Sequence, residues 1–243
     1  MRAPDTGVVS VRVRRVTTTR AGGVSAPPYQ TFNLGDHVGD DPAAVATNRK
    51  RLAAAIGLGA DAVVWMNQVH GDRVARIDGP IGSAVDGTDA LVTTTRRLAL
   101  AVVTADCVPV LMSDARAGVV AAVHAGRVGA QNGVVIRAVE AMRDAGAHAD
   151  DISVLLGPAV SGRNYEVPAA MADEVEAALP GSRTTTAQGT PGLDLRAGIA
   201  RQITGLGITA IDIDPRCTVD DRALFSHRRD APTGRLASLV WME

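Results

Sequence analysis

Three short stretches of the chain carry side chains able to ligate a transition metal: Asn67-Gln68-Val69-His70-Gly71, Thr104-Ala105-Asp106-Cys107-Val108-Pro109 and Val123-His124-Ala125-Gly126. One thiolate and two imidazoles form a donor set that suits zinc, and three protein ligands leave the fourth tetrahedral position open, as in catalytic rather than structural sites. The steps of 37 residues from His70 to Cys107 and 17 from Cys107 to His124 are unlike the short paired arms of fingers and ribbons. A lone cysteine beside a proline is equally well explained as core, where free thiols concentrate. The catalytic reading therefore requires that the three residues converge. Asp106, next to the thiol, can act as a general base or can orient a ligand histidine, and the second is the expected role.

Elements must bring these residues together. Residues 9–16 alternate as a first strand, and residues 22–28 form a loop punctuated by Gly and Pro. Asp41-Pro42 reads as an N-cap followed by proline at the first helical position, and Val45, Leu52 and Ile56 recur at helical spacing up to Gly57. Four runs rich in Val and Ala end at His70, near Thr94, at Cys107 and at His124. Such continuous apolar runs predict strands buried on both faces, with the ligands at their ends. A helix is expected over 129–145, a strand over 152–156, helices over 168–179 and 195–206, and a last strand over 236–241 that inserts beside earlier ones. The pattern is α/β.

Composition narrows the function. The 243 residues suffice for a substantial core, and no apolar run approaches the roughly 18 residues needed to cross a bilayer. Residues 1–5 contain no apolar stretch of a secretory signal, so a cytoplasmic protein is expected, without a membrane partner. The only cysteines are Cys107 and Cys217, too few for a disulfide framework. A net charge of −1 from 25 basic and 26 acidic residues argues against a nucleic-acid binder. Aromatics at 2% leave Phe32, Tyr165 and Phe225 as the candidates for stacking on a single base.

The wording around the ligands resembles the YfiH or laccase-domain family, known variously as multicopper polyphenol oxidase, purine nucleoside phosphorylase and peptidoglycan editing factor. The likeness runs from Thr19-Arg20-Ala21-Gly22-Gly23-Val24-Ser25 through Asn33-Leu34-Gly35, Asn48-Arg49-Lys50-Arg51-Leu52 and the three ligand stretches to Phe225-Ser226-His227-Arg228-Arg229-Asp230 and Leu239-Val240-Trp241. It implies a single layered domain over residues 1–243, with mixed β-sheets flanked by helices, and a zinc ion on His70, Cys107 and His124. The implied activity is phosphorolysis of adenosine, inosine and methylthioadenosine, with adenosine deamination at the same open zinc position. Nucleoside and phosphate are then the partners. Where the family usually reads HAGWRG, this chain has His124-Ala125-Gly126-Arg127-Val128-Gly129. Arg127 can supply the positive charge one position earlier, but on a strand that shift would turn it to the opposite face.

With nucleoside and phosphate in view, four further residues become candidates for substrate binding. Arg229 suits fork-like recognition of phosphate and Ser226 can hydrogen-bond a ribose hydroxyl, against the alternative of a surface loop laced by ion pairs. Asn33 is either a turn residue or an amide that reads a purine edge. Arg49 lies on a helix face that is either solvated or phosphate-binding. Asp86-Gly87-Thr88-Asp89 is expected to be a turn before a strand, since so few oxygens make a poor calcium or magnesium site. His37, His148 and Cys217 are expected to stand outside the chemistry. Two competitors remain: a copper-loaded oxidase, disfavoured by only five histidines, and a cysteine hydrolase with Cys107 as nucleophile and His124 or His70 as base.

Overall fold

The computed structural model describes residues 10–243; the start of the expected first strand and residues 1–5 lie outside them. In chain order the strands are β1 (Val13–Thr17), β2 (Val63–Val64), β3 (Val74–Arg76), β4 (Ala90–Thr93), β5 (Ala99–Thr104), β6 (Val108–Asp114), β7 (Val119–Ala125), β8 (Ile152–Leu156), β9 (Arg183–Thr185), β10 (Pro191–Leu193), β11 (Ala210–Ile213) and β12 (Leu236–Met242). The helices are α1 (Pro42–Ala55), α2 (Arg127–Gln131), α3 (Val134–Asp144), α4 (Ala169–Ala178), α5 (Leu195–Gly205) and α6 (His227–Asp230). A four-stranded sheet has the order β1-β12-β5-β2 and a six-stranded sheet the order β11-β8-β6-β7-β4-β3, both mixed in direction, with β9 and β10 as a separate hairpin.

Strand periodicity sorts the core into three sheets of side chains. Along β5, Leu100 and Val102 pack with Leu91, Leu111, Val120 and Val240 between the two sheets. The alternate residues Ala99, Ala101 and Val103 turn outward onto Leu52 of α1, Trp65 and Leu239. On the far face of the six-stranded sheet, Val110, Met112, Val123 and Ala121 meet Val135 and Val139 of α3 and Ile199 of α5. The molecule is thus helix, sheet, sheet, helix. With both faces of each sheet covered, β4 to β7 are buried at every position, which is why their sequences read as continuous apolar runs. Helix α1 begins as expected, with the Asp41 side chain accepting from the Ala43 N–H and Pro42 at the first position. Strand β12 pairs antiparallel with both β1 and β5.

Two expectations are corrected. The run before His70 contributes only the two residues of β2 to a sheet, and His70 lies in a bend beyond it. The single helix over 129–145 is two helices, because Gly133 adopts a left-handed φ of 86° that breaks the ladder between α2 and α3. Helix α2 starts at Arg127, after the extended Gly126 that follows the His124 strand.

Candidate active site

The chain leaves the four-stranded sheet at Thr104 and enters the six-stranded one at Val108, so residues 105–107 cross between the sheets at one end of the sandwich. Cys107 closes that crossing. His124 stands next to last in β7, across from Pro109 in the β6 register. His70 is delivered by the bend, with a φ of 60°. The ligand atoms of His70, Cys107 and His124 lie within 4.8 Å of one another. Cys107 Sγ is 3.7 Å from His70 Nε2, and the two imidazoles stand edge to face with centroids 4.7 Å apart. A Cβ on Gly126 would come 2.7 Å from His70 Cδ2 and 3.2 Å from Cys107 Sγ. Only glycine lets the chain pass so close beneath the three donors.

Asp89 organises two of the three. Its carboxylate, fully buried, accepts the backbone N–H groups of Val69 (3.2 Å), His70 (3.0 Å) and Gly71 (2.7 Å), pinning the bend. It also lies 2.8 Å from His124 Nδ1, which leaves Nε2 of that ring free for a metal. Burial pushes the Asp89 carboxyl up, but these hydrogen bonds outweigh it and hold it below the usual range. The metal-free thiol and imidazole polarise each other in the same way. Burial raises the Cys107 thiol, yet His124 and His70 bring it down to about 6. Burial lowers His124, yet the Cys107 charge and the Asp89 hydrogen bond raise it to about 9.

This donor set of two imidazoles and one thiolate fits a single zinc ion with an open position. It does not fit a cluster of coppers: among the described residues this is the one group of three or more His, Cys, Asp or Glu side chains placed to share a metal.

A cavity of about 340 Å³ opens onto the cluster, lined also by Thr104, Asp106, Arg127, Tyr165, Arg228 and Arg235, with His37 and His227 among its walls. The Arg228 guanidinium lies over the Tyr165 ring at 5.1 Å. Burial, with the nearby Cys107 charge, raises the Tyr165 phenol, keeping it neutral. Asp106 has a left-handed φ of 91°. Its Oδ1 accepts the Thr218 hydroxyl at 2.5 Å and its Oδ2 accepts the Arg228 N–H at 2.7 Å. It is Asp89, and not Asp106, whose carboxylate contacts His124.

The side chains expected to contact substrate are largely engaged within the protein. Arg229 donates to the carbonyls of Thr218, Val219, Asp221 and Leu224 and pairs with Asp230, which takes up its guanidinium. Ser226 is fully buried and caps α6 by accepting the Arg229 N–H. Asn33 is fully buried too, bonded to Gly35, Asp40 and the Arg235 N–H. Arg49 holds the Leu34 carbonyl and Asp36 and stacks on Trp65. Phe225 is core, with Gly234 against its ring. Arg127 does face the cavity, because it opens a helix and not a strand, while Val128 turns outward with 40% exposure. His37, set aside in the sequence, lines the cavity. Sequence reasoning missed Asp89 and Arg235. Asp89 looked like one more turn carboxylate, and its signal was the Asp immediately before a buried strand. Arg235 sat alone after Thr233-Gly234.

A family model described as multi-copper polyphenol oxidoreductase laccase matches residues 14–243. A purine nucleoside phosphorylase of Mycobacterium tuberculosis strain H37Rv is 79% identical over 239 residues, covering 98% of this chain and 96% of that protein. A purine nucleoside phosphorylase of Corynebacterium glutamicum is 61% identical over 232 residues, covering 95% and 94%. Among solved structures, YlmD from Geobacillus stearothermophilus superposes with a TM-score of 0.89 at 31% identity, covering 99% of this chain and 94% of that one. The Bacillus licheniformis protein YfiH superposes with a TM-score of 0.88 at 31% identity, covering 95% and 93%. Among the described residues no helix is long and apolar enough to cross a membrane.

Proposed function

The chain belongs to the multi-copper polyphenol oxidoreductase laccase family, the family of YfiH-like proteins, and from that premise we propose that it is a zinc-dependent purine nucleoside phosphorylase acting on adenosine, inosine and methylthioadenosine. The observation that carries the reading is the convergence of His70, Cys107 and His124 at the floor of a cavity large enough for a nucleoside. Relatives named purine nucleoside phosphorylase at 79% and 61% identity support the reaction class.

In phosphorolysis a phosphate oxygen forms a bond to the anomeric carbon of ribose, and the bond from that carbon to the purine nitrogen breaks. The electron pair passes to the purine, which takes up a proton; the products are ribose 1-phosphate and the free base. Zinc held by His70, Cys107 and His124 would supply Lewis acidity at the cavity floor. Tyr165 offers the aromatic face for the purine, braced by Arg228. Asp106, fixed by Thr218 and the Arg228 N–H, offers a carboxylate at the reacting end. The charge that phosphate needs comes from an arginine of the cavity wall, in place of the enclosed Arg229.

The test is chromatography of adenosine and inosine reactions, with and without phosphate, on protein of known metal content. Ribose 1-phosphate and free base, formed only with phosphate, are expected; inosine and ammonia from adenosine would mark deamination instead. One geometric feature favours a second reading. Asp89, His124 and Cys107 stand in the order of an acid, base and thiol nucleophile, with His124 Nδ1 held 2.8 Å from Asp89. That reading requires turnover without metal and a covalent thioester.

A further inference from the structure

The cavity carries three arginines, from three different elements: Arg127 opens α2, Arg228 lies in α6 and Arg235 precedes β12. Arg127 and Arg228 both act on the Tyr165 phenol, and Arg228 is stacked on that ring and donates to the Glu166 carbonyl. Arg235 comes from the segment just before β12, seated against Asn33 and Gly35. The charges it senses are those of Cys107, Asp106 and Tyr29.

Arg235 is held unusually well for an arginine without a counter-ion. Its backbone N–H donates to Asn33 Oδ1 at 2.8 Å, and its carbonyl accepts the Leu34 N–H at 3.1 Å. Its stem runs through a slot at Gly35, where a Cβ would come 2.6 Å from Arg235 Cγ. Its Nη1 donates to the carbonyls of Thr233 and Gly234 at 3.0 and 3.2 Å. Nε and Nη2 have no protein acceptor, and no carboxylate pairs with the group among the described residues. Burial accordingly lowers the guanidinium from its ordinary value, as it must for a cation short of a partner. The Asn33-Leu34-Gly35 stretch, whose Asn33 reads in the sequence as a turn residue or a purine-reading amide, builds the seat of this side chain. What remains open is the edge formed by Nε and Nη2, the fork that matches two oxygens of a phosphate.

We propose that Arg235 is the phosphate anchor of the cavity, its free edge holding inorganic phosphate on one side of the metal ligands while the purine lies against Tyr165 on the other. The assignment rests on the phosphorylase reading for the role of phosphate, but the site itself is tested by binding of phosphate alone. Thermal unfolding of the zinc-loaded protein is measured with increasing inorganic phosphate for the wild type, Arg235→Gln, Arg235→Lys and Arg127→Gln, and KM is measured for phosphate and for inosine. Phosphate should raise the Tm of the wild type and of Arg127→Gln and leave that of Arg235→Gln unmoved. KM for phosphate should rise about 10- to 100-fold in Arg235→Gln, the loss expected for a charge-assisted pair, with KM for inosine changed less than about threefold. Arg235→Lys keeps the charge without the fork and should fall between; it carries the decision if the glutamine variant does not fold. A phosphate-induced shift that survives in Arg235→Gln, or that vanishes in Arg127→Gln alone, overturns the assignment. A shift that depends on Arg235 with no ribose 1-phosphate formed would keep the anchor and remove the phosphorylase reading. Ribose 1-phosphate formation with an unchanged phosphate KM in both Arg235 variants would do the reverse.

Discussion

Two polar clusters dominate the sequence, and the structure uses them in opposite ways. Around Asp89 the polar atoms hold side chains that present free lone pairs: the carboxylate pins the His70 bend and turns His124 so that Nε2 is left open. Within residues 220–230, His227 and Arg228 face the cavity, while Arg229 and Ser226 are turned inward on the backbone. Arg229 ties four carbonyls together and Ser226 caps the short helix α6. The second cluster is the denser in charge, yet its Arg229 is bound to the protein through all three guanidinium nitrogens and its Ser226 is fully buried. A buried guanidinium with every donor satisfied is a structural staple. A cluster becomes a site only where hydrogen-bonding capacity is left over and aimed at a cavity.

The comparison can be broken by substitution. Arg229→Ala leaves the carbonyls of Thr218, Val219, Asp221 and Leu224 without their shared donor. It should destabilise the fold by about 3 kcal/mol in denaturant unfolding, with zinc content per folded chain unchanged. A variant of normal stability that binds phosphate poorly would return Arg229 to the site. Asp89→Asn should act the other way, lowering zinc affinity about 10- to 100-fold, the usual cost of losing a partner behind a ligand histidine. Competition with a chromophoric chelator measures it, and cobalt loading should show an altered thiolate-to-metal band. Unchanged affinity would mean that the pinned bend and ring orientation contribute nothing. Ser226→Ala should be the mildest, costing about 1 kcal/mol for a lost helix cap and leaving KM for nucleoside as it was. A rise in that KM would place the hydroxyl on ribose after all.

The layered fold was readable because strands covered on both faces must be apolar throughout, as in Ala99–Thr104 and Val119–Ala125. The helix starting at Pro42 announced itself through Asp41, and the last strand through its isolated apolar run. The three candidate metal ligands were legible by type, and the structure brings them together. What was not legible is direction. Nothing in the residues Ser226 or Arg229 says that their hydrogen bonds close on their own loop, and nothing in Asp86-Gly87-Thr88-Asp89 says that the last carboxylate points 2.8 Å from His124. The break between α2 and α3 turned on Gly133, a left-handed residue inside an apparently continuous helical pattern. Shifting the start to Arg127 reversed the expectation for that side chain. Asn33 was legible as a motif residue, but not that its buried amide would accept the Arg235 N–H.

The most direct test of the central claim is turnover of inosine in phosphate by chelator-stripped protein, before and after addition of one equivalent of zinc, with alkylation of Cys107 followed in the same samples. A metal-dependent phosphorylase should be inactive when stripped and restored by about one zinc per chain, the number that three ligands with an open position hold. The thiol should react readily in the stripped protein, where His124 and His70 favour the thiolate, and slowly once the sulfur is a ligand. Full turnover by metal-free protein, abolished by alkylation of Cys107, would contradict the account and establish the thiol as the nucleophile.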